Sequence, residues 1–274
     1  GHNLVALAEE RLSPDTETCW EWTSGQPANA SVLVSLYNYS ERILDALESV
    51  FQQTAGALEL IVVDDASTDD GAAVVASWME ACEQNGNHPF VRLLLLQHSR
   101  NAGLAVARNS AFNAARASWC FVLDADNALY PRAVEICLAL AEAGSTDLAV
   151  VHPLLAVEVE SGRPDEQRSL VSTASWQRAR LSRENVVDAM ALVRWQAWKS
   201  VQGYCHIEGG WEDYDFWCKL IGAGWHGVQC PQVLAVYRSH DESMSHTATN
   251  RAWRALSRTL QARHPWLMLP LADS

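Results

Sequence analysis

Up to about residue 155, short apolar runs alternate with amphipathic segments. Val32-Leu33-Val34-Ser35-Leu36, Leu60 to Val63, Val91 to Leu96, Trp119 to Leu123 and Leu148 to Leu155 have the length and composition of buried strands. Between them, Ile43, Leu44, Leu47, Val50 and Phe51 recur at helical spacing, as do Val74, Val75, Trp78 and Met79. Gly103 to Arg116 reads as an alanine-rich helix, and Pro131 stands in the favoured first turn of the next one. This order predicts a mostly parallel sheet with helices on both faces.

The remainder is less regular. Residues 1–30 have no clean period and end in Ser-Gly-Gln-Pro-Ala-Asn-Ala, which reads as a lead-in or linker. Glu158 to Arg183 is polar and is expected to be a mobile loop. A strand is expected around Val186 to Val193, a helix from Trp211 to Ile221 closed by Gly222 and Gly224, and a C-terminal helix over 247–263.

Composition narrows the function classes. Net charge is −13, the opposite of a general nucleic-acid binder. The seven cysteines are odd in number and form no Cys-x-x-Cys pair. That pattern suits reduced, mostly buried thiols in a cytoplasmic protein, not a disulfide framework or a zinc site. No apolar stretch has the roughly 18 to 20 residues needed to span a bilayer, which leaves only peripheral association with a membrane. Twelve tryptophans offer both core material and aromatic faces for a sugar. The opening Gly-His without Met suggests a tag scar on a module of a longer polypeptide.

Candidate chemistry lies where apolar runs end. Trp119 to Leu123 runs into Asp124-Ala125-Asp126. In extended backbone the two carboxylates point the same way, and a divalent cation carrying a phosphate would relieve their repulsion. In a parallel sheet, ligands bind at the carboxyl ends of strands. Tyr37-Asn38, Asp64-Asp65 and Asp124-Ala125-Asp126 should therefore share one rim. Two aspartates at 64–65 exceed what capping the next helix requires. Asn101 to Asn109 enters a helix through Gly103, which permits close backbone approach to an anion. Arg108 within that segment could reach a diphosphate or a rim carboxylate. In Gly209-Gly210-Trp211-Glu212-Asp213-Tyr214-Asp215, acids occupy a first helical turn beside an aromatic. A carboxylate there stays ionised and suits a general base. His240, in the polar run from Tyr237 to His246, is a candidate third metal ligand.

Val-Asp-Asp-Ala-Ser-Thr-Asp (63–69), Asn-Ala-Gly-Leu-Ala-Val-Ala-Arg-Asn (101–109), Leu-Asp-Ala-Asp (123–126) and Gly-Trp-Glu-Asp-Tyr-Asp-Phe-Trp (210–217) occur in order. The set resembles the inverting family 2 glycosyltransferases of the GT-A class, over about residues 30 to 246. Ala66 stands where the commonest form of the second motif has Gly. The resemblance implies a three-layer α/β/α sandwich with a Rossmann-like, mostly parallel sheet. Its nucleotide-binding half would be 31–130 and its acceptor half, α+β in character, 131–246, with 247–274 as a C-terminal helix and tail. It implies a nucleotide-diphospho-sugar donor, usually a UDP-sugar, a glycan or other hydroxyl acceptor, and Mn²⁺ or Mg²⁺. Ser35, Tyr37, Asp64, Asp65, Asn101, Gly103, Arg108, Asp124 and Ala125 would hold the nucleotide. Asp124, Asp126 and His240 would hold the metal, Trp211 and Glu212 the acceptor, and Asp213 would be the catalytic base.

Rival readings fit less well. A Rossmann dehydrogenase needs Gly-x-Gly-x-x-Gly after the first strand, and none is there. The Gly-rich, Arg-containing loop of sugar nucleotidyltransferases is missing after that strand. A haloacid-dehalogenase phosphatase would carry its Asp-x-Asp on the first strand, not the fourth. Processive synthases carry Gln-x-x-Arg-Trp after the base motif, whereas Arg194-Trp195 precedes it here and Ala191 replaces the Gln. These features suggest a non-processive transferase in the cytoplasm or at the cytoplasmic face of a membrane. The alternative is a catalytically inactive module that binds nucleotide or glycan or scaffolds a partner.

Overall fold

The computed structural model describes residues 8–9, 13–159, 169–240 and 250–270. In chain order the elements are β1 (Ala8–Glu9), β2 (Thr16–Thr23), β3 (Ala30–Leu36), α1 (Ile43–Phe51), β4 (Leu58–Asp64), α2 (Gly71–Asn85), β5 (Phe90–His98), α3 (Leu104–Ala114), β6 (Trp119–Asp124) and β7 (Ala128–Leu129). Then follow α4 (Ala133–Glu142), β8 (Leu148–Val159), β9 (Leu170–Val171), α5 (Arg178–Leu181), β10 (Leu192–Arg194), α6 (Trp195–Ser200), β11 (His206–Ile207), α7 (Glu212–Gly222), β12 (His226–Ser239) and α8 (Asn250–Arg263).

One sheet runs β2-β5-β4-β3-β6-β10-β8-β12-β7, with β9 paired to β8. Strands β5, β4, β3 and β6 are mutually parallel, as are β8 and β12. The antiparallel members are β2, β7, β9 and β10. Successive strand residues serve opposite faces. Val32 and Val34 pack under α1, α2 and α4, while Leu33 packs under α3 and, further along, α6, α7 and α8. Both faces are dry, so the central strands are apolar throughout and read as continuous hydrophobic runs.

Five of the strands expected from periodicity are present, each extended by one to four residues. Two regions differ. The segment read as a lead-in supplies β2, which pairs antiparallel with β5 at the sheet edge. Only Trp20 and Trp22 pack inward, so the pattern is too sparse to register as a strand. The strand expected over 186–193 shrinks to Leu192–Arg194 because side chains take up the preceding backbone. Trp217 Nε1 donates to Val187 O (3.1 Å), and Asp188 N–H donates to Ser172 Oγ (3.3 Å). The expected loop 158–183 contains β9 and α5, while residues 160–168 lie outside the described residues. All seven cysteines are unpaired thiols, five of them buried. No described helix is long and apolar enough to cross a membrane.

Candidate active site

Strand register builds the rim. Ser35 lies beside Val63 and Asp124, and Leu36 beside Asp64, which in turn faces Gln97. A cavity of about 610 Å³ opens above this row. Of the sequence-predicted residues, Ser35, Tyr37, Asp65, Asn101, Gly103, Asp124, Ala125, Asp126 and Glu212 line it. Asp64, Arg108, Trp211, Asp213 and His240 stand behind or beside its wall.

Asp65 organises one end of the cavity. Its two oxygens accept bonds from His98 Nδ1 (2.7 Å), Ala102 N (2.9 Å), Asn101 Nδ2 (3.0 Å) and Gly103 N (2.8 Å). The carboxylate thus shapes the loop into α3 while lining the cavity. Gly103 has φ 95°, a conformation that suits glycine. Asp64 is fully buried. Its Oδ2 accepts from Gln97 Nε2 (2.8 Å), while Oδ1 has no partner. Ala66 has φ 57°, which gives the physical reason glycine is common at that position in similar sequences.

At the centre, Arg108 reaches from α3 to Asp124 (Nη2 to Oδ1, 2.7 Å). Burial opposes the guanidinium charge, but the Asp124 carboxylate more than offsets it, so Arg108 is held firmly charged. Asp126 Oδ2 lies 2.9 Å from His240 Nε2 at the end of β12. Burial and then the neighbouring Asp124 push the Asp126 carboxyl up, against the hydrogen bond to His240. Asn127 Oδ1 accepts Arg238 N–H (2.8 Å), which ties the end of β12 to the loop after β6. Residues 241–246 of the polar run lie outside the described residues.

The metal expectation can be tested on these contacts. Two carboxylates and an imidazole are suitable donors, and the Asp124–Asp126 repulsion marks a place for a cation. Among the described residues, however, no three acids, histidines or cysteines already surround a common point. The set therefore fits a hard divalent ion that takes its remaining oxygens from a diphosphate, not an all-protein cage.

The opposite side of the site is built by α7 and the loop before it. Gly209, Gly210 and Trp211 have φ of 93°, 112° and 65° in succession. Trp211 in the left-handed region marks local strain at the helix N-terminus. Its ring packs edge-on to Tyr214 (5.6 Å) and stands beside the residues that line the cavity. Glu212 does line it, and burial raises its carboxyl to about 7. Asp213 is half-buried. It accepts Asn185 Nδ2 (3.2 Å) and its own helix's Tyr214 N–H (2.8 Å). Burial raises its pKa, while Arg108 opposes the rise.

Sequence reasoning missed three groups here. His206 sits between Glu208 (3.3 Å) and Glu212 (3.8 Å) on the cavity wall. Asp188, raised to about 7 by burial and then by Asp124, also interacts with Asp213. Tyr204 lies under Arg108, 5.5 Å from guanidinium to ring centre. None belongs to a polar cluster that directly follows a predicted strand, so no local signal marked them.

The Glycosyl transferase family 2 sequence pattern matches residues 31–194, more than half of the chain. The chain belongs to glycosyltransferase family 2. Among its relatives, an uncharacterized glycosyltransferase of Escherichia coli K12, YibD, is 35% identical over 119 residues, covering 43% of this chain and 32% of that protein. A chondroitin synthase of Escherichia coli is 30% identical over 200 residues, covering 71% of this chain and 26% of the synthase. The chain thus spans about a third or less of these family members' length. Solved structures share the fold. Staphylococcus aureus TarS, in complex with UDP-GlcNAc, has a TM-score of 0.61 at 17% identity, over 85% of this chain and 66% of that one. The Pyrobaculum calidifontis mannosyltransferase PcManGT, with GDP-Man and Mn²⁺, also has 0.61, at 20% identity, over 89% of this chain and 63% of that one. The central sheet of this chain is accordingly that of a GT-A glycosyltransferase.

Proposed function

We propose that this chain catalyses inverting, metal-dependent, non-processive transfer of a sugar from a UDP-sugar to a hydroxyl of a glycan acceptor. The observation that carries the reading is the convergence, around one cavity, of Asp124 and Asp126 with the N-terminus of α7. The first pair suits a cation-bound diphosphate, and the second supplies a carboxylate able to take a proton.

Ser35, Tyr37 and the loop built on Asp65 would form the nucleotide end of the cavity. When bound, Mn²⁺ or Mg²⁺ would neutralise the departing diphosphate, with Asp124, Asp126 and His240 as its protein ligands. Asp213 would take the proton leaving the acceptor hydroxyl, oriented by Asn185 and with Arg108 opposing the rise in pKa that burial causes. Glu212 would position the acceptor. Arg194 and Trp195 support the non-processive assignment, since both serve the fold. Arg194 Nε donates to Leu148 O (2.6 Å), and Trp195 Nε1 donates to Phe112 O (2.9 Å). The TarS complex with UDP-GlcNAc supports the choice of UDP.

Calorimetry of UDP and GDP binding, with and without Mn²⁺, tests the reading. UDP is expected to bind in a Mn²⁺-dependent manner, and Asp126→Ala is expected to abolish that dependence. Unchanged Mn²⁺-dependent binding in Asp126→Ala would overturn the metal assignment. UDP binding without any transfer would favour the non-catalytic alternative.

A further inference from the structure

Charge is spread unevenly over this acidic chain. The net charge is −13, yet residues 169–187 and 250–270 together hold seven arginines and a single acid, Glu184. The fold brings the two segments into contact. Met268 N–H donates to Ser182 O (2.6 Å), and the Arg178 guanidinium lies over the Trp266 ring, 4.8 Å from its centre. Leu181, Leu256, Leu260 and Leu267 are buried in one apolar cluster. What that packing leaves outside is basic. Arg178, Arg180 and Arg183, on and just after α5, are exposed, and so are Arg254 and Arg258, one turn apart on α8.

The protein itself does little to neutralise these five cations. Among the described residues, the acid in ion-pair reach of them is Glu184, 3.6 Å from Arg180, and both of those side chains are more than half exposed. Such a pair contributes little. Arg263, by contrast, turns inward onto the buried Asp215 (2.7 and 3.0 Å). Beside the exposed arginines stand apolar groups. Met268 is 62% exposed, and the Trp266 indole is half-buried. Cations mixed with an exposed thioether and an indole match the boundary of an anionic bilayer, where headgroup phosphates meet guanidinium groups and apolar side chains enter the acyl layer. A nucleic acid would use the cations and leave Met268 without a role. The acids elsewhere on the chain are screened beyond about 10 Å at 0.1 M salt, so the local sign decides.

We propose that this face, made of α5, the exposed edge of α8 and the segment from Trp266 to Met268, docks on the surface of an anionic phospholipid bilayer. Arg183 is two residues from Asn185, which binds Asp213 (3.2 Å), so the docked face adjoins the α7 end of the site.

Co-sedimentation of the whole chain tests this, with vesicles of phosphatidylcholine alone and of phosphatidylcholine with about 30% phosphatidylglycerol. No nucleotide is added, so the result is independent of the glycosyl-transfer reading. Binding is expected to the anionic vesicles only, and to weaken at least about 10-fold between about 0.1 and 0.5 M NaCl. The double variant Arg254→Gln/Arg258→Gln is expected to weaken it at least about 10-fold with Tm unchanged, since each basic residue near such a surface contributes about 5-fold. Met268→Gln is expected to weaken it about 3-fold by removing the apolar contact. Arg116→Gln/Arg132→Gln carries the same change in net charge away from this face and should alter binding less than about 2-fold. Equal binding to both vesicles, binding to neither, or an equal loss in the Arg116/Arg132 pair would overturn the proposal. So would salt-sensitive binding to single-stranded RNA without binding to anionic vesicles, which would make the face a polyanion site instead.

Discussion

The two ends of the same sheet treat buried charge in opposite ways. At the amino ends of the strands, Ser31, Glu59 and Arg92 form a closed network. Glu59 Oε2 takes Arg92 Nη1 (2.6 Å), and Glu59 Oε1 takes Ser31 Oγ (2.6 Å) and Arg116 N (2.8 Å). Arg92 also reaches Glu21 (2.8 Å) and Ala114 O (2.9 Å). Every charge there has an opposite partner and its lone pairs are used. At the carboxyl ends, Asp124, Asp126, Asp188, Glu212 and Asp213 converge with few cations, and several polar atoms stay unmet. A saturated network holds the fold together, whereas a frustrated one is stabilised fully only when something binds. The contrast marks the carboxyl ends as the candidate site by energetics, without reference to any motif.

The largest effect should come from breaking the closed end. Glu59→Ala leaves Arg92 buried beside a void and should cost about 3 to 5 kcal/mol of stability, measured by chemical denaturation. Turnover per folded molecule should not change. A loss below about 1 kcal/mol would mean that the amino-end network is not the anchor that the contrast makes it.

The open end should show the reverse. Asp213→Asn keeps the shape and the Asn185 contact but removes the base. Turnover should fall at least about 100-fold, with donor affinity and denaturation midpoint nearly unchanged. Transfer at close to the wild-type rate would pass the role to Glu212 or Asp215.

The smallest effect is the most specific to the contrast. Burial raises the Glu212 carboxyl to about 7, so the folded state holds that proton more tightly than the unfolded chain does. Stability is therefore lost as pH rises from the ordinary carboxylate range through about 7. Glu212→Gln should raise Tm by several degrees at pH 8 and leave it unchanged near pH 4. Equal shifts at both pH values would point to packing instead of charge.

Short range decided much of this molecule. The runs at β3, β4, β5, β6 and β8 are apolar on both faces, so their strand character and burial follow from composition. Capping glycines and aspartates marked where they stop. Asp124 was legible as the end of an apolar run, but Asp126 lies past the strand in a turn closed by Asn127 N–H to Asp124 O (3.1 Å), so extended backbone is not what brings the pair together; Gly103 was legible because a positive φ selects glycine. Edge strand β2, with only two inward tryptophans, carried too weak a period to be seen.

Long range decided the rest. Asp65 reads locally as a ligand-facing acid, yet the fold brings His98, Asn101, Ala102 and Gly103 onto it and turns it into a loop anchor. Trp211 reads as a free aromatic face, and only the fold sets it edge-on to Tyr214. Asp188, Tyr204 and His206 come near the cavity only through the tertiary fold. The sequence by itself determined where strands end and which residue types stand there, since those depend on neighbours one or two positions away. Which of those groups are satisfied and which are left wanting a partner depends on desolvation and on contacts across tens of residues, and only the tertiary structure decided that.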